Sequence, residues 1–302
     1  MKDSVYGAVY GAIIADAFAL GAHWLYDTDE IKDKFPAYKQ FHDPATQYHG
    51  EKKAGDLSHY GDQTMWLLES IALEREFSLA SFAQRWKAYM SEYKGYIDGA
   101  SQTSLENLKA GKSPFESGSS SQDLSVVGRI APLVLLYHDD QKSLEDSALL
   151  QAKMTHNSQS VADAIRFFSH LLYLVLDGYS PLNASEKILA ETQSVTVQNW
   201  IKTALASRTH DTLEAIHACG QSCNVKGGCP GALHLILKYE DDYAEAMKQN
   251  VYAGGDSCAR GMVAGMILGA YNGVDTIPAD WRDALNAKAR IASYLEVFSD
   301  KK

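Results

Sequence analysis

Apolar residues in this 302-residue chain recur mainly at the three-to-four-residue spacing of an amphipathic helix. Convincing alternation of apolar and polar residues, which would indicate strands, is absent. The clearest helical segments are residues 5–20, 64–77, 161–176, 211–218, 232–237 and 257–271. We find no internal repeat and no linker long enough to separate domains. The sequence therefore predicts an all-α protein that forms one compact domain over residues 1–302.

Local residue types mark the ends of several predicted helices. Asp211 opens the pattern of a capping box, in which aspartate stands in for serine or threonine. Gly178 follows the segment 161–176 as a helix stop, with Pro181 beyond it. Residues 114–121 are rich in serine and glycine and predict a mobile loop. The glycines on both sides of Pro230 predict a turn that lines the core.

Two predicted helices, one at each end of the chain, carry small residues at helical spacing. A glycine inside a helix costs about 1 kcal/mol relative to alanine, so we expect close backbone approach as the compensation. The pattern is interpreted as tight helix packing in the core. These residues are Gly7, Gly11 and Ala15, and Gly261, Gly265 and Gly269.

Composition narrows the range of partners. The net charge of −10 argues against broad nucleic-acid binding, which needs a basic face. We see no run of about 20 apolar residues that would span a membrane, and no cleavage site of a secretory signal. Four cysteines do not form a disulfide framework. We therefore expect a cytoplasmic protein without a nucleic-acid or membrane partner.

Two short segments place an aspartate at the start of a predicted helix. In Gly254-Gly255-Asp256-Ser257-Cys258 the two glycines permit positive φ, and Asp256 stands where an N-cap belongs. In Tyr60-Gly61-Asp62-Gln63-Thr64, Asp62 is placed to cap the following helix. Capping alone accounts for either aspartate. The alternative is a pair of turns that hold oxygen ligands, where free N–H groups bind a phosphate or sugar oxygen.

Five motifs, in order, resemble those of the ADP-ribosylglycohydrolase family, which includes the dinitrogenase-reductase-activating glycohydrolases. Residues 7–24 resemble its opening helix, with Ala15-Asp16-Ala17 on its Gly-Asp-Ala element. Residues 60–71 resemble its Thr-Asp-Asp-Thr motif and the helix after it. Residues 129–132 resemble its Arg-x-Ala-Pro segment, and Thr155-His156 is similar to a Thr-His element that opens a helix. Residues 254–273 resemble its Gly-Gly-Asp-Thr-Asp-Thr motif.

The resemblance implies an all-α fold with a central cleft, in which two divalent ions, usually magnesium, bind the ribose of ADP-ribose. It implies hydrolysis of the bond that joins ADP-ribose to a protein side chain or a small acceptor. By position, Asp62 and Asp256 would be catalytic and would bind metal. Asp123 or Asp98, in loops near the central segment, is the candidate general base. The other ligand-binding positions are Asp16, Thr64, His156, Gly254, Gly255, Ser257 and Cys258.

Four substitutions within these motifs bear on the metal. Gly61 replaces a hydroxyl ligand, Gln63 and Cys258 each replace a carboxylate, and Ala259 replaces a threonine. Magnesium prefers anionic oxygen, and two divalent ions repel each other without enough negative charge between them. We therefore expect no two-metal centre. At most one weakly held magnesium ion is expected, bound by Asp62 and Asp256 with help from Asp16.

One branch of the family, which contains J-type crystallins and related selenoproteins, resembles this chain more closely. The similar segments are His23-Trp24, residues 121–124 and residues 254–258. The function expected first is hydrolysis of an ADP-ribosyl or related N- or O-glycosidic bond in a small-molecule or ADP-ribosylated substrate. The alternative is a non-catalytic protein, either a nucleotide or sugar sensor or a crystallin-like structural protein.

The cysteines offer a further alternative. Cys258, in the first turn of a helix and near Arg260, could be a reactive thiolate. A small, buried apolar residue is the favoured interpretation. The other three cysteines and two nearby histidines fit no standard zinc spacing. These are Cys219, Cys223, Cys229, His217 and His234.

Overall fold

The computed structural model describes residues 2–299, which form seventeen α-helices and four short 3-10 helices. No strand occurs in this range, and the only β-type pairings are two isolated bridges. The all-α prediction is confirmed. The α-helices are α1 Lys2–Ala19, α2 Thr28–Lys34, α3 His59–Glu74, α4 Leu79–Ser91, α5 Gly99–Lys109, α6 Ser125–Gly128, α7 Val134–Tyr137, α8 Gln141–Lys153, α9 Gln159–Leu176, α10 Pro181–Glu191, α11 Val195–Ser207, α12 Thr212–Cys219, α13 Val225–Lys238, α14 Tyr243–Tyr252, α15 Ser257–Asn272, α16 Ala279–Ala284 and α17 Lys288–Glu296.

Helices α1 and α15 form the centre of the fold and pack backbone to backbone. A Cβ placed on Gly7 would overlap the carbonyl oxygen of Gly269, and one on Gly11 would overlap that of Gly265. Both helices are buried on nearly every face, as expected for helices that are apolar all round. The predicted role of the small residues in helix packing is confirmed.

Helix α1 corrects the expectation that no segment is long and apolar enough to span a membrane. With the 3-10 turn that follows it, the continuous stretch Lys2–Ala22 has a mean hydropathy of 1.5 and is long enough to cross a membrane. By length and composition alone it meets that test. However, 89% of its apolar window is buried inside the fold, as in a core helix.

Several helix ends follow the residue types that predicted them. Asp256 caps α15 by accepting from the backbone N–H of Ala259, and Asp211 caps α12 by accepting from that of Glu214. Gly178 lies just beyond α9 with φ +103°. The segment 114–121 is irregular as predicted, and the buried Ser117 hydroxyl anchors it by donating to the Met154 carbonyl.

Three local predictions are wrong. Pro230 and its neighbouring glycines lie inside α13 rather than in a turn. The glycines there serve packing, since a Cβ on Gly227 would overlap the Cys219 carbonyl oxygen.

Helix α3 begins at His59 with Ser58 as its cap, so Asp62 lies within the first turn and does not cap the helix. Thr155 and His156 precede α9 in a loop, because Ser158 caps that helix.

Candidate functional site

Asp256 is held by donors from both ends of the chain. The positive φ angles of Gly254 and Gly255 (+69° and +72°) turn the chain into α15. At the start of that helix, Asp256 Oδ1 accepts from Ala259 N and from His23 Nε2, both at 3.1 Å. Its Oδ2 accepts from the Tyr60 hydroxyl at 3.0 Å and the Trp24 indole N–H at 3.3 Å. Three side chains therefore bind this aspartate in addition to the cap.

These donors keep Asp256 ionised. Burial, which leaves the residue 2% exposed, would by itself raise the pKa of the carboxyl. The neighbouring His23 imidazole, its hydrogen bond and those from Ala259 N and Trp24 outweigh burial and hold the pKa below its usual range. The site therefore contains a fixed negative charge at neutral pH.

Asp123 approaches Asp256 from a loop that pairs with another loop. Leu124 N donates to the Cys223 carbonyl at 2.7 Å, and Val225 N donates to that of Gln122 at 2.9 Å. This pairing brings one ligand atom each of Asp123, Cys223 and Asp256 within 4.8 Å of one another. Burial first, and the charge of Asp256 second, raise the pKa of Asp123 to about 7. Burial, with the same two carboxylates, raises the pKa of the Cys223 thiol.

A stack of buried histidines lies next to this pair. The His23 ring lies 5.0 Å from that of His49 and 6.5 Å from that of His59, centroid to centroid. His49 Nε2 and both ring nitrogens of His59 have no hydrogen-bond partner within residues 2–299. Burial lowers the pKa of His49 to about 3 and that of His59 below its usual range. His59 also lies 3.7 Å from the carboxylate of Asp98, which caps α5.

Aromatic rings border the histidines on the solvent side. Trp24 contacts Tyr48 and Tyr96, at centroid distances of 5.5 and 4.8 Å, and stacks on His49. Tyr48 and Tyr96 are 54% and 38% exposed. Exposed aromatic faces beside a polar, partly buried interior can receive a planar or sugar-like group.

Asp62 has different partners. Its Oδ2 accepts from Lys52 Nζ and from the Tyr93 hydroxyl, both at 2.5 Å. It lines a cavity of about 570 Å³ together with Trp66 and His49. Over the described part of the chain, Asp62 and Asp256 share no hydrogen-bond partner. The histidine stack connects the two regions, because His49 lines this cavity and packs on the His23 ring that binds Asp256.

Three other residues predicted as ligands are committed to internal bonds. Asp16 is fully buried and accepts from the backbone N–H and hydroxyl of Ser58. Thr64 is fully buried and donates its hydroxyl to the Tyr60 carbonyl. Cys258 is fully buried, its thiol donates to the Asp16 carbonyl at 3.4 Å, and burial raises its pKa. This environment contradicts the reactive-thiolate alternative and matches the buried-residue interpretation.

His156 and Ser257 each have a free polar atom. His156 Nδ1 lies 2.9 Å from the Thr155 hydroxyl, and its Nε2 is without a partner among the residues that the structure describes. The Ser257 hydroxyl, at the start of α15, is fully buried and likewise unpaired in that part of the chain. His156 lines a separate cavity of about 570 Å³ between α8 and α9. The ligand-binding roles of both residues stay predictions.

The residues at the implied metal positions do not fit a two-magnesium centre. Gln63, in place of a carboxylate, accepts from the Arg129 guanidinium at 2.8 Å and from the Trp86 indole at 2.9 Å. Lys52 places an ammonium against Asp62. The cluster of Asp123, Cys223 and Asp256 combines two carboxylates with a thiol, which is a soft ligand that magnesium does not favour.

Several residues of this site were missed as ligands or partners in the sequence. His23, Trp24 and Tyr60 lie within or beside recognised motifs, and that position is the sequence signal that could have indicated them. His49 ends the short 3-10 helix Gln47–His49, and Lys52 lies in the loop between that helix and α3. Periodicity carries no information over such short segments. The sequence near Cys223 has no zinc spacing, and it gives no sign that Cys223 approaches Asp123 and Asp256.

Comparisons with known proteins agree with this architecture. A sequence model described as ADP-ribosylglycohydrolase matches residues 1–301. Crystallin J1A of Tripedalia cystophora is 24% identical, over 99% of this chain and 97% of its own length. An uncharacterized protein of Archaeoglobus fulgidus is 25% identical, over 94% and 92%. A structure titled ADP-ribosylglycohydrolase-related protein complex superposes with a TM-score of 0.73 at 23% identity, covering 98% of this chain and 97% of the other.

Proposed function

The chain belongs to the ADP-ribosylglycohydrolase family, and from this premise we propose that it hydrolyses the glycosidic bond of an ADP-ribosyl or related substrate at Asp123 and Asp256. The observation that carries the proposal is the carboxylate pair itself. One oxygen of each lies within 4.8 Å of the other, and their surroundings drive the two pKa values apart. Two carboxylates with separated pKa values are the usual requirement for glycoside hydrolysis.

In the proposed reaction, Asp123 is the general acid. With its pKa raised to about 7, it is protonated in about half of the molecules at neutral pH, and in these it donates the proton to the leaving atom as the glycosidic bond breaks. A water molecule then attacks the sugar carbon and returns a proton to Asp123. The products are the free sugar hydroxyl and the protonated leaving group, and the acid is restored.

Asp256 supplies negative charge to the transition state. Its four hydrogen-bond donors hold it in one orientation and keep it ionised, so it does not need to reorganise during the reaction. The developing positive charge on the sugar ring would be stabilised by this buried carboxylate. Each carboxylate oxygen of Asp256 already accepts two hydrogen bonds. We therefore assign Asp256 an electrostatic role rather than that of a nucleophile.

The aromatic border would position the substrate. Trp24 donates to Asp256, and the partly exposed Tyr48 and Tyr96 pack on Trp24. Aromatic rings of this kind bind planar bases or sugar rings. No step of this mechanism passes through a metal ion, because the residues at the implied positions do not fit a two-magnesium centre.

A second candidate is a protein of this fold that binds a ligand or serves as a crystallin-like structural protein without catalysis. The similarity to crystallin J1A supports it, as does the near-complete burial of Asp256. In that case the same aromatic and acidic residues would bind a nucleotide or sugar, or would have no ligand.

One experiment separates these functions. Turnover of ADP-ribosyl-arginine and ADP-ribosyl-serine is measured for the wild type, Asp123→Asn and Asp256→Asn, and ADP-ribose binding is measured by calorimetry. Asp211→Asn is the matched control, because Asp211 is also a helix cap but lies on the surface. Turnover that both site variants lose and the control keeps supports the hydrolase. Binding without turnover supports the sensor, and neither binding nor turnover supports the structural protein.

A further inference from the structure

Three positions of the first implied magnesium motif, residues 61–63, each lie against another residue of the chain. A Cβ on Gly61 would overlap a carboxylate oxygen of Asp16, so a side chain with a hydroxyl fits there only if Asp16 moves. Gln63 Oε1 accepts from Arg129, whose guanidinium is buried with it. Asp62, the one remaining carboxylate of this motif, faces Lys52.

Lys52 is fixed in place rather than free in solvent. Its side chain is only 21% exposed, the same fraction as that of Asp62. Its backbone N–H donates to the His49 carbonyl at 3.3 Å, and its ammonium lies 5.7 Å from the centre of the Tyr93 ring. Tyr93 completes the arrangement, because its hydroxyl donates to the same oxygen of Asp62 as Lys52 does.

The charge of residues 61–64, the implied magnesium motif, is balanced by one ammonium and not by two divalent ions. Asp62 contributes one negative charge, and the neutral Gln63 contributes none. One ammonium at 2.5 Å neutralises that carboxylate. Two magnesium ions would bring four positive charges to the same segment, next to the ammonium of Lys52 and the guanidinium of Arg129, and would be repelled.

From these contacts we propose that Lys52 is a built-in cation that takes the place of a divalent metal ion at Asp62. The ammonium neutralises the carboxylate and holds the first turn of α3 against the segment before it. The protein thereby keeps this part of its fold without any bound metal. The proposal concerns Asp62 and its surroundings, so it does not depend on hydrolysis at Asp123 and Asp256.

Stability in the presence and absence of magnesium tests the proposal. Thermal melting is measured in EDTA, in 10 mM magnesium chloride and in sodium chloride of equal ionic strength, for the wild type, Lys52→Met and Lys52→Arg. Lys53→Met is the matched control, because the neighbouring Lys53 is 70% exposed in its pair with Asp43. We expect melting of the wild type, Lys52→Arg and Lys53→Met to be indifferent to magnesium.

Lys52→Met should melt at least roughly 3 °C lower in EDTA, and magnesium but not sodium should restore part of that loss. Calorimetric titration with Mn²⁺ should show binding to Lys52→Met and none to the wild type. Wild-type melting that rises with magnesium or falls in EDTA would overturn the proposal, as would a Lys52→Met protein as stable in EDTA as the wild type.

A double variant covers the case in which Lys52→Met does not fold. Adding Asp62→Asn removes the carboxylate that Lys52 neutralises, so the double variant should fold and melt above Lys52→Met. A double variant that is no more stable than Lys52→Met would show that Lys52 acts by something other than charge and would overturn the proposal. Loss or retention of hydrolysis in these variants is a separate result that bears only on the proposed function.

Discussion

The carboxylates of Asp123 and Asp256 lie within 4.8 Å of each other, and the charge of one raises the pKa of the other. We expect Asp256→Asn to remove part of that effect, so that the pKa of Asp123 falls below about 7, by on the order of one unit. The measurement is a titration of the Asp123 carboxyl followed by carbon NMR. Burial, the larger cause, remains in the variant, so a return to the ordinary value of an exposed aspartate would contradict the structure.

Replacing Asp256 with alanine should cost more stability than loss of a helix cap. A cap is worth about 0.5–2 kcal/mol, whereas Asp256→Ala also leaves His23, Trp24 and Tyr60 without their acceptor in a buried site. We expect a loss of at least about 3 kcal/mol in urea unfolding. Replacing Asp211, an exposed cap, with alanine should lower the free energy of unfolding by no more than the loss of a cap alone, about 0.5–2 kcal/mol. Equal losses at the two positions would show that the buried donors find other partners.

The contact between α1 and α15 should not tolerate a methyl group. In Gly11→Ala the new Cβ would overlap a backbone carbonyl of α15, which cannot move aside as a side chain can. We expect a loss of at least about 2 kcal/mol in the free energy of unfolding. Gly99→Ala is the control, because a Cβ there meets nothing within 4 Å, and it should be neutral or stabilising by up to about 1 kcal/mol. A neutral Gly11→Ala would contradict the observed packing.

His49 should make stability depend on pH. Burial lowers its pKa to about 3 in the folded protein, against 6.5 in the unfolded chain. As the pH falls below 6.5 the unfolded state binds a proton that the folded state excludes, so stability decreases. Between pH 7 and 5 this group should remove about 2 kcal/mol.

Variants isolate this contribution from that of other groups. His49→Gln should show a smaller decrease than the wild type, because the buried His59, whose pKa is also lowered, still contributes. His210→Gln, at an exposed position, should keep the wild-type slope. Urea unfolding at several pH values gives the three slopes. Parallel slopes for wild type and His49→Gln would mean that His49 is protonated in the folded state.

The main helices of the fold could be predicted because their apolar spacing is strong and local. Helices α1, α9 and α15 begin and end within a few residues of the predicted segments. The start of α13 was missed, because Gly227 and Pro230 favour a turn in a local view. Their role in α13 depends on the close approach of Cys219, which only the folded structure supplies.

The candidate site could be predicted only in part. Asp256 was identified because its turn residues and cap are local features. Its pairing with Asp123 depends on hydrogen bonds between two distant loops, which leave no periodic pattern in the sequence. Lys52 could not be identified for a similar reason, since its role comes from the distance to Asp62 and not from its neighbours in the chain.

The pairing of α1 with α15 also bears on how the chain is synthesised. Helix α1 leaves the ribosome long before α15, yet the backbone that covers its glycine face belongs to residues 257–272. At translation rates of roughly 5–20 residues per second, that partner follows after tens of seconds. During this interval the most apolar helix of the protein lacks its main packing surface. We therefore expect nascent chains that stop before α15 to be bound by chaperones or to aggregate, whereas chains that include α15 can bury α1.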